Sequence, residues 1–362
     1  MDAHGAIARI SLAAIKHNLA QAKRLAPYAK VIAIVKANAY GHGDLKVAAA
    51  LEDEADMFGV ARFEEAQKLR AAGIRQPILL LSGFLNAKQL QACAHQQFHV
   101  CIHQFEQLAL LETTPLSAPI TVWLKIDTGM HRIGISPEQV DLALSRLSKI
   151  KQVIQPVNAM SHFARADEPK QRAITEAAIT CFNQATHGKV NDRALCNSAG
   201  VLAFPKAHSD FIRPGIMLYG ITPFSEQQGS DVGLRPAMDL VSSLIAIRQH
   251  SRGEPVGYAG TWVSPRDTRI GVIAIGYGDG YPRMAPSGTP VLINGRRYPL
   301  VGRVAMDMAT VDLGPEGDEQ VGDEVLLWGQ GLPAEEIARH VNTIAYELVT
   351  RLTSRPRWEY IE

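Results

Sequence analysis

The expected fold class is α/β: an N-terminal (β/α)8 TIM-type barrel followed by a smaller, mostly-β C-terminal domain. Three observations predict it. Short apolar runs alternate with amphipathic stretches through the first two thirds of the 362 residues. Their number suits eight parallel strands joined by helical crossovers, a barrel of ~250 residues or a little less. Near residue 230 the pattern changes to short β runs separated by turn signals, without regular helices between them.

The elements follow in order. An opening strand is expected at Ile7–Ser11. Barrel strands are expected at Val31–Val35, Met57–Val60, Ile78–Leu81, His99–Ile102, Val122–Ile126, Val157–Ser161, Ala194–Cys196 and Phe211–Arg213. Helices between them include Leu45–Glu52, Glu64–Ala72, Ala87–His95, Pro137–Lys149 and Gln171–His187, where apolar residues recur at helical spacing. Later β runs are Leu240–Arg248, Arg269–Gly276, Val291–Ile293, Tyr298–Val301, Met308–Val311 and Glu324–Trp328, with a modest helix at Ala334–Val341. The barrel domain is therefore placed at 1–232 and the β-rich domain at 233–362. The first strand, about 7–11, is available to pair with the C-terminal domain. An open doubly wound sheet competes with the barrel, because the alternation leaves the strand count open.

Composition narrows the function. Hydrophobic residues make up 46%, enough for a real core. The net charge is +1 with no basic block, so neither nucleic acid nor a membrane surface is implied as a partner. Aromatic residues are too sparse for a single-strand stacking platform. Cys93, Cys101, Cys181 and Cys196 form no close CxxC pair and read as reduced thiols. The opening MDAHGAIARISL has no basic segment leading into an apolar run, and no stretch approaches the ~18–20 apolar residues of a membrane span. A cytoplasmic location is expected. No cluster reads as metal ligands.

Candidate chemistry collects at strand ends. The run VIAIVKANAYGHG ends a wholly apolar strand in Lys36 and then a Gly-rich turn. A lysine at the C-terminal mouth of a buried barrel strand sits where barrel active sites are built. Desolvation there lowers its pKa and favours covalent chemistry with a carbonyl. The plain alternative is a lysine that snorkels to solvent. Other strand ends carry Lys125 and Arg132 in KIDTGMHRIG, His162 in SHFARADE, Asn197 and Ser198 in CNSAG, and Arg213, Gly215 and Tyr219 in RPGIMLYG. Each alone has a bland reading: His162 a satisfied core histidine, Ser198 part of a helix cap, Arg213 a structural ion pair. If the barrel closes, all lie at one opening, the signature of a site.

The motifs IVKANAYGHG, GMHRIG, SHFA, RPGIMLYG, VGYAGTW, GYGDGYPR and VGRVAMDM occur in this order. Together they resemble the alanine racemases across nearly the whole chain, both domains included. The resemblance implies a barrel that holds pyridoxal 5'-phosphate. It also implies a head-to-tail homodimer in which each active site is completed by the partner's C-terminal domain. Lys36 is then catalytic and holds the cofactor through its amine. Tyr40, Ser198 and the Gly215–Ile216 backbone bind the phosphate, a sensible cradle of hydroxyls and amides. His162 lies beside the ring and Arg213 meets the pyridine nitrogen. Some relatives place a further phosphate-contacting tyrosine a few residues beyond the position of Tyr346; Ser354 stands near that point here.

The implied reaction interconverts L-alanine and D-alanine, supplying D-alanine for peptidoglycan or, in reverse, using it catabolically. It needs two acid/base groups on opposite faces of the α-carbon. The resemblance assigns Lys36 to one face and the partner's Tyr258 to the other. A tyrosine of ordinary pKa ~10 must be tuned for this, and a positive neighbourhood around Arg213 and His162 suits it. The substrate carboxylate is expected at Arg132 and the backbone amide of the partner's Met306. Tyr277 narrows the entrance, with Arg303 and Asp307 in the same region. Lys125 matches a position often carbamylated in the family, where the new negative charge would hold Arg132. Arg213 donates only, so it keeps the ring nitrogen unprotonated, weakens the electron sink and limits transamination.

Rival readings differ in identifiable residues. A pyridoxal-phosphate carrier lacks the β domain and the second base. The decarboxylase branch of the fold uses a cysteine and an acidic ring-nitrogen partner, against which Arg213 stands. The nearest rival is a racemase of another or several amino acids, such as serine or lysine, since a small pocket rejects one hydroxyl poorly.

Overall fold

The computed structural model describes residues 5–362. The chain forms two compact units. One is Lys16–Leu218 with Thr222–Phe224; the other is the chain up to Ile15, Tyr219–Ile221 and Ser225–Glu362.

The first unit is a closed barrel. Its strands are β2 (Lys30–Ile34), β3 (Met57–Val60), β4 (Ile78–Leu80), β5 (His99–Ile102), β6 (Val122–Lys125), β7 (Asn158–Met160), β8 (Arg193–Ala194) and β9 (Phe211–Ile212), β1 being the opening strand Ile7–Ser11. Each pairs in parallel with the next, and β9 returns to β2 through Lys30↔Phe211 and Val31↔Ile212. That closure excludes the open doubly wound sheet. Ile32, Ile34, Met57, Leu79, Cys101, Trp123, Met160, Ala194 and Phe211 fill the interior, so it is a packed core with no pore. Burial of each large side chain contributes roughly 1.5–3 kcal/mol. Trp123 and Phe211 meet edge to face at 5.5 Å. Gly59 is required by this packing, since a Cβ there would stand 2.6 Å from Ile34 Cδ1. The crossover helices are capped where the sequence allows; Asn86 Oδ1, for example, accepts from Gln89 N–H at 2.9 Å ahead of Ala87–His95.

The second unit is an eight-stranded sheet. Its strands include β1, β10 (Met238–His250), β13 (Thr268–Ile273), β14 (Pro290–Ile293), β15 (Arg296–Pro299), β16 (Ala309–Gly314), β17 (Glu324–Trp328) and β18 (Arg357–Ile361), with a separate two-stranded pair, β11 (Pro255–Val256) and β12 (Trp262–Val263). β1 runs antiparallel to β10 and parallel to β18. The thirteen residues of β10 let it pair with β1, β17 and β13. Between β14 and β15, Asn294 and Gly295 both have positive φ, 51° and 76°, as a two-residue type I′ turn demands. That turn fixes the register, so β15 is Arg296–Pro299 and starts before the expected Tyr298. The β unit takes in the chain from Ser225, ahead of the expected residue 233, and Gly229 N–H donates to Glu335 Oε1 within it at 3.0 Å. The helix Ala345–Thr350 and strand β18 were not expected from the sequence. No helix of the described residues is long and apolar enough to cross a membrane.

Candidate active site

Lys36 follows β2 at the C-terminal mouth of the barrel, after Val35 N–H donates to the Gly59 carbonyl beside it. The next four residues, Ala37, Asn38, Ala39 and Tyr40, have φ of 51–54° and positive ψ, a turn of left-handed helix with no glycine in it. L-residues resist this conformation by roughly 1–2 kcal/mol each, so the surroundings must hold it. Ala37 N–H donates to Glu65 Oε1 at 2.6 Å, and Asp44 N–H to Asn38 Oδ1 at 3.1 Å. The Asn38 carbonyl accepts from His42 and Gly43 N–H, both at 2.9 Å. The turn brings Tyr40 against Gly215: a Cβ on Gly215 would lie 2.6 Å from the Tyr40 hydroxyl. Burial pushes the Tyr40 phenol up to about 12, so it remains a donor.

The ends of β8 and β9 supply the rest of the cradle. Asn197 Oδ1 caps the helix Ser198–Ala203 by accepting from Gly200 N–H at 3.0 Å. Ser198 Oγ accepts from Gly215 N–H at 2.9 Å and Met217 N–H at 3.3 Å. Ile216 is buried and opens the short turn Ile216–Tyr219. Arg213, fully enclosed, donates through Nη2 to the carbonyls of Ser161 and Leu195. Its Nη1 is buried and has no hydrogen-bond partner among the described residues. Burial lowers this guanidinium to about 10, which leaves it charged at neutral pH.

The mouth is strongly cationic. Lys125 ends β6, is 7% exposed, and is lowered to about 8, first by burial and then by Arg213, Arg132 and Lys36. Lys36 is lowered by burial and by Arg132 and Arg213, against Glu65, which raises it. His162 is held well below the usual histidine range by burial and then by Arg213, Lys125, Arg132 and Lys36, so it is neutral. Arg132 is exposed on the loop after β6, which Asp127 Oδ1 shapes by accepting three successive N–H groups, Gly129 to His131, each at 3.0 Å. Four cations around one opening are built for anions such as a phosphate and a carboxylate. The orphaned Nη1 of Arg213 and the bare Gly215 beside two hydroxyls fit a flat, phosphate-bearing heterocycle with an acceptor nitrogen. Among the described residues no group of three or more His, Cys, Asp or Glu is arranged to hold a metal ion.

Tyr258, Tyr277 and Met306 belong to the β unit. Tyr258 opens the turn Tyr258–Gly260 and is 72% exposed; Tyr277 and Met306 are also exposed. Tyr277 N–H donates to the Ala305 carbonyl at 3.0 Å and Gly278 N–H to that of Met306 at 2.9 Å. Arg303 backbone lies 3.8 Å from where a Gly257 Cβ would stand. Arg355 pairs with Asp307 at 2.8 Å and Asp279 at 3.4 Å. The sequence-derived residues therefore form two groups. Lys36, Tyr40, Lys125, Arg132, His162, Ser198, Arg213, Gly215 and Ile216 are brought together in the barrel unit, and Tyr258, Tyr277 and Met306 lie in the other unit. Ser354 is exposed on the tail. Sequence reasoning missed Glu65, Ser161, Asp279 and Arg355. Only Glu65 carried a signal, as an acidic residue in the first turn of an expected helix.

A strand-end lysine within a ring of cations, at the mouth of a closed α/β barrel, defines a class: barrel enzymes that hold an anionic ligand around an amine nucleophile. Residues 10–223 match the family described as "Alanine racemase, N-terminal domain", and residues 237–360 match "Alanine racemase, C-terminal domain". The chain belongs to the alanine racemase family. It is 56% identical to the biosynthetic alanine racemase of Escherichia coli K12 over 354 residues, 98% of each chain. The crystal structure of biosynthetic alanine racemase from Pseudomonas aeruginosa superposes with a TM-score of 0.95 at 44% identity, covering 99% of this chain and 100% of that one. Alanine racemase from Bartonella henselae with covalently bound pyridoxal phosphate matches with a TM-score of 0.88 at 27% identity, covering 99% of each.

Proposed function

We propose that this chain is a pyridoxal-phosphate-dependent racemase that interconverts L- and D-alanine, acting as a homodimer and supplying D-alanine for peptidoglycan. The observation that carries the reading is Arg213. Its Nη2 is tied to main-chain carbonyls, and its Nη1 is a buried donor without a partner among the described residues. A donor-only cation suits an unprotonated pyridine nitrogen. Four free cysteines, three of them buried, support a reducing, cytoplasmic setting.

Lys36 would hold the cofactor through its amine, and Tyr40, Ser198 and the Gly215–Ile216 backbone would bind its phosphate. When bound, pyridoxal phosphate withdraws electrons from the substrate α-carbon and so loosens the proton there. Once the substrate's amine has taken its place on the cofactor, Lys36, its pKa lowered by burial, would take or return that proton on one face. Tyr258, delivered by the partner's β-rich domain, serves the opposite face. Arg132 and the amide of the partner's Met306 orient the carboxylate, and Tyr277 limits the side chain to a small one. Neutral His162 leaves the Arg213 charge in place beside the ring. Arg213 would keep the ring nitrogen unprotonated and so confine the chemistry to proton exchange.

Lys125 has the character of a carbamylation site. An amine lowered to about 8 is partly neutral at physiological pH. A neutral amine adds carbon dioxide with formation of an N–C bond and loss of one proton. The carbamate would face Arg132 with opposite charge. Intact mass under mild conditions should show a carbon dioxide adduct that Lys125→Ala removes; its absence from the native protein refutes the modification.

Purified protein should carry a visible cofactor band and drive L-alanine and D-alanine separately to an equal mixture, followed by chiral chromatography. Lys36→Ala should lose both. Cofactor-bearing protein that leaves alanine unchanged but racemises serine or lysine would make it a different racemase. Inertness to all of them would make it a carrier.

A further inference from the structure

We propose that Glu65 is a positioning residue for Lys36: its carboxylate fixes the amide that follows the lysine and so sets where the Lys36 amine stands at the barrel mouth. The proposal rests on the reading of Lys36 as cofactor-holding base.

Glu65 is the third residue of the helix Phe63–Ala71. In a capping box such a carboxylate reaches back to the N-cap amide. Here Oε2 does so, accepting from Arg62 N–H and Ala61 N–H, both at 2.9 Å. The other oxygen, Oε1, leaves the helix altogether and accepts Ala37 N–H at 2.6 Å. One side chain thus gathers three amides from the loops that follow β2 and β3. Those strands are adjacent and in register, with Ile34 opposite Gly59. The carboxylate therefore ties the two loops together where Lys36 emerges.

The position matters because of what Ala37 begins. Ala37 is the first of four consecutive left-handed residues, a conformation that a chain without glycine does not hold unaided. A charge-assisted hydrogen bond at the start of that turn is roughly twice as strong as a neutral one. Without it the turn can relax toward ordinary φ values, and both Lys36 before it and Tyr40 within it would be displaced.

Charge acts in the same direction. Lys36 feels Arg132 from the loop after β6 and Arg213 from the end of β9, both lowering its proton affinity. It also interacts with Lys125 at the end of β6 and with His162 after β7. Glu65 is the carboxylate that opposes the two arginines at Lys36. It gives the amine a counter-charge while the cations of the mouth stay available to ligand anions.

Glutamine separates these roles from simple bulk. It has the same shape, but one end of its amide is a donor. Either Ala37 N–H or the Ala61 and Arg62 pair must then face an N–H₂ group. In the cofactor-loaded protein, Glu65→Gln should remain folded, with kcat lowered about tenfold or more and KM for alanine within about twofold of wild type. The midpoint at which its visible cofactor absorbance titrates should move to lower pH, since the counter-charge at Lys36 is gone. Glu65→Asp keeps the charge but is too short to span both loops. Its midpoint should lie nearer wild type while kcat stays low. The proposal is overturned if folded Glu65→Gln keeps the wild-type kcat and midpoint. It is equally overturned if the loss of kcat comes without any midpoint shift and is recovered by cooling, for then Glu65 only stabilises the fold. Wild-type protein run alongside separates this outcome from failure of the functional reading, which would remove alanine turnover and the visible band from the wild type itself.

Discussion

Nη2 of Arg213 stands 3.5 Å from Nδ1 of His162. A guanidinium donates only, so the Nδ1 facing it is the unprotonated nitrogen, in keeping with an imidazole held neutral by burial and by the same arginine. The pair presents a fixed positive charge with no mobile proton where the cofactor nitrogen is proposed to lie. Replacing Arg213 by glutamate exchanges that for a group able to share a proton with the ring. Arg213→Glu should slow alanine racemisation by about 100-fold or more, and pyruvate should become detectable as a transamination product. Chiral chromatography with a coupled pyruvate assay measures both. An unchanged product profile would show that the ring nitrogen does not depend on Arg213.

Gly215 is bare because Tyr40 occupies the space. A methyl carbon added there would stand 2.6 Å from the Tyr40 hydroxyl, so Gly215→Ala displaces the phenol from the proposed phosphate cradle. The variant should fold, bind pyridoxal phosphate about tenfold or more weakly, and lose its visible band on gel filtration. Retention of the cofactor like wild type would remove Tyr40 and Gly215 from the cradle.

Acid stability should depend on His99. Its Nδ1 accepts from Trp123 Nε1–H at 3.3 Å, and burial lowers its pKa to about 4. Between the unfolded value of ~6.5 and about 4, the unfolded chain binds a proton that the folded barrel does not, so stability falls as pH falls through that window. His42, also lowered to about 4 by burial, adds to the same slope. Tm should drop between pH 7 and pH ~4.5, and His99→Gln, which keeps an acceptor for Trp123, should flatten that drop. Equal slopes in the two proteins would rule His99 out.

The contrast between what the sequence disclosed and what it hid follows from locality. β2 to β6 are almost wholly buried and mostly apolar, so their positions could be placed within a residue or two. The polar residues closing the barrel strands, Lys36 after β2, Lys125 at the end of β6 and Arg213 after β9 among them, marked one mouth once eight strands were counted. The left-handed turn was invisible, because KANAY contains no glycine and the partner of its Ala37 amide, Glu65, lies 28 residues away. β18 was hidden for a similar reason: its partner β1 lies at the other end of the chain, and RWEYI carries two charges. Arg355 acts through pairs with Asp279 and Asp307, which no local pattern announces.

That Arg355 pairing should bear on substrate binding. It joins the turn bearing Tyr277 to the loop bearing Met306, where Gly276 is pressed so closely that a Cβ would stand 2.3 Å from the Ala305 and Met306 carbonyls. Arg355 is half exposed, so its loss should cost little stability. Arg355→Ala should instead raise KM for alanine by about three- to tenfold, with kcat less affected. An unaltered KM would separate this ion-pair network from substrate binding.

In the proposed racemase, Lys36 of one chain and Tyr258 of another form a single two-base site. Lys36→Ala and Tyr258→Phe should each be strongly impaired alone. Co-expressed and purified together, they should regain activity, since each heterodimer holds one of its two sites with both native residues; the randomly paired population should reach about a quarter of the wild-type rate. Activity no greater than the sum of the two parents would contradict a site shared between subunits.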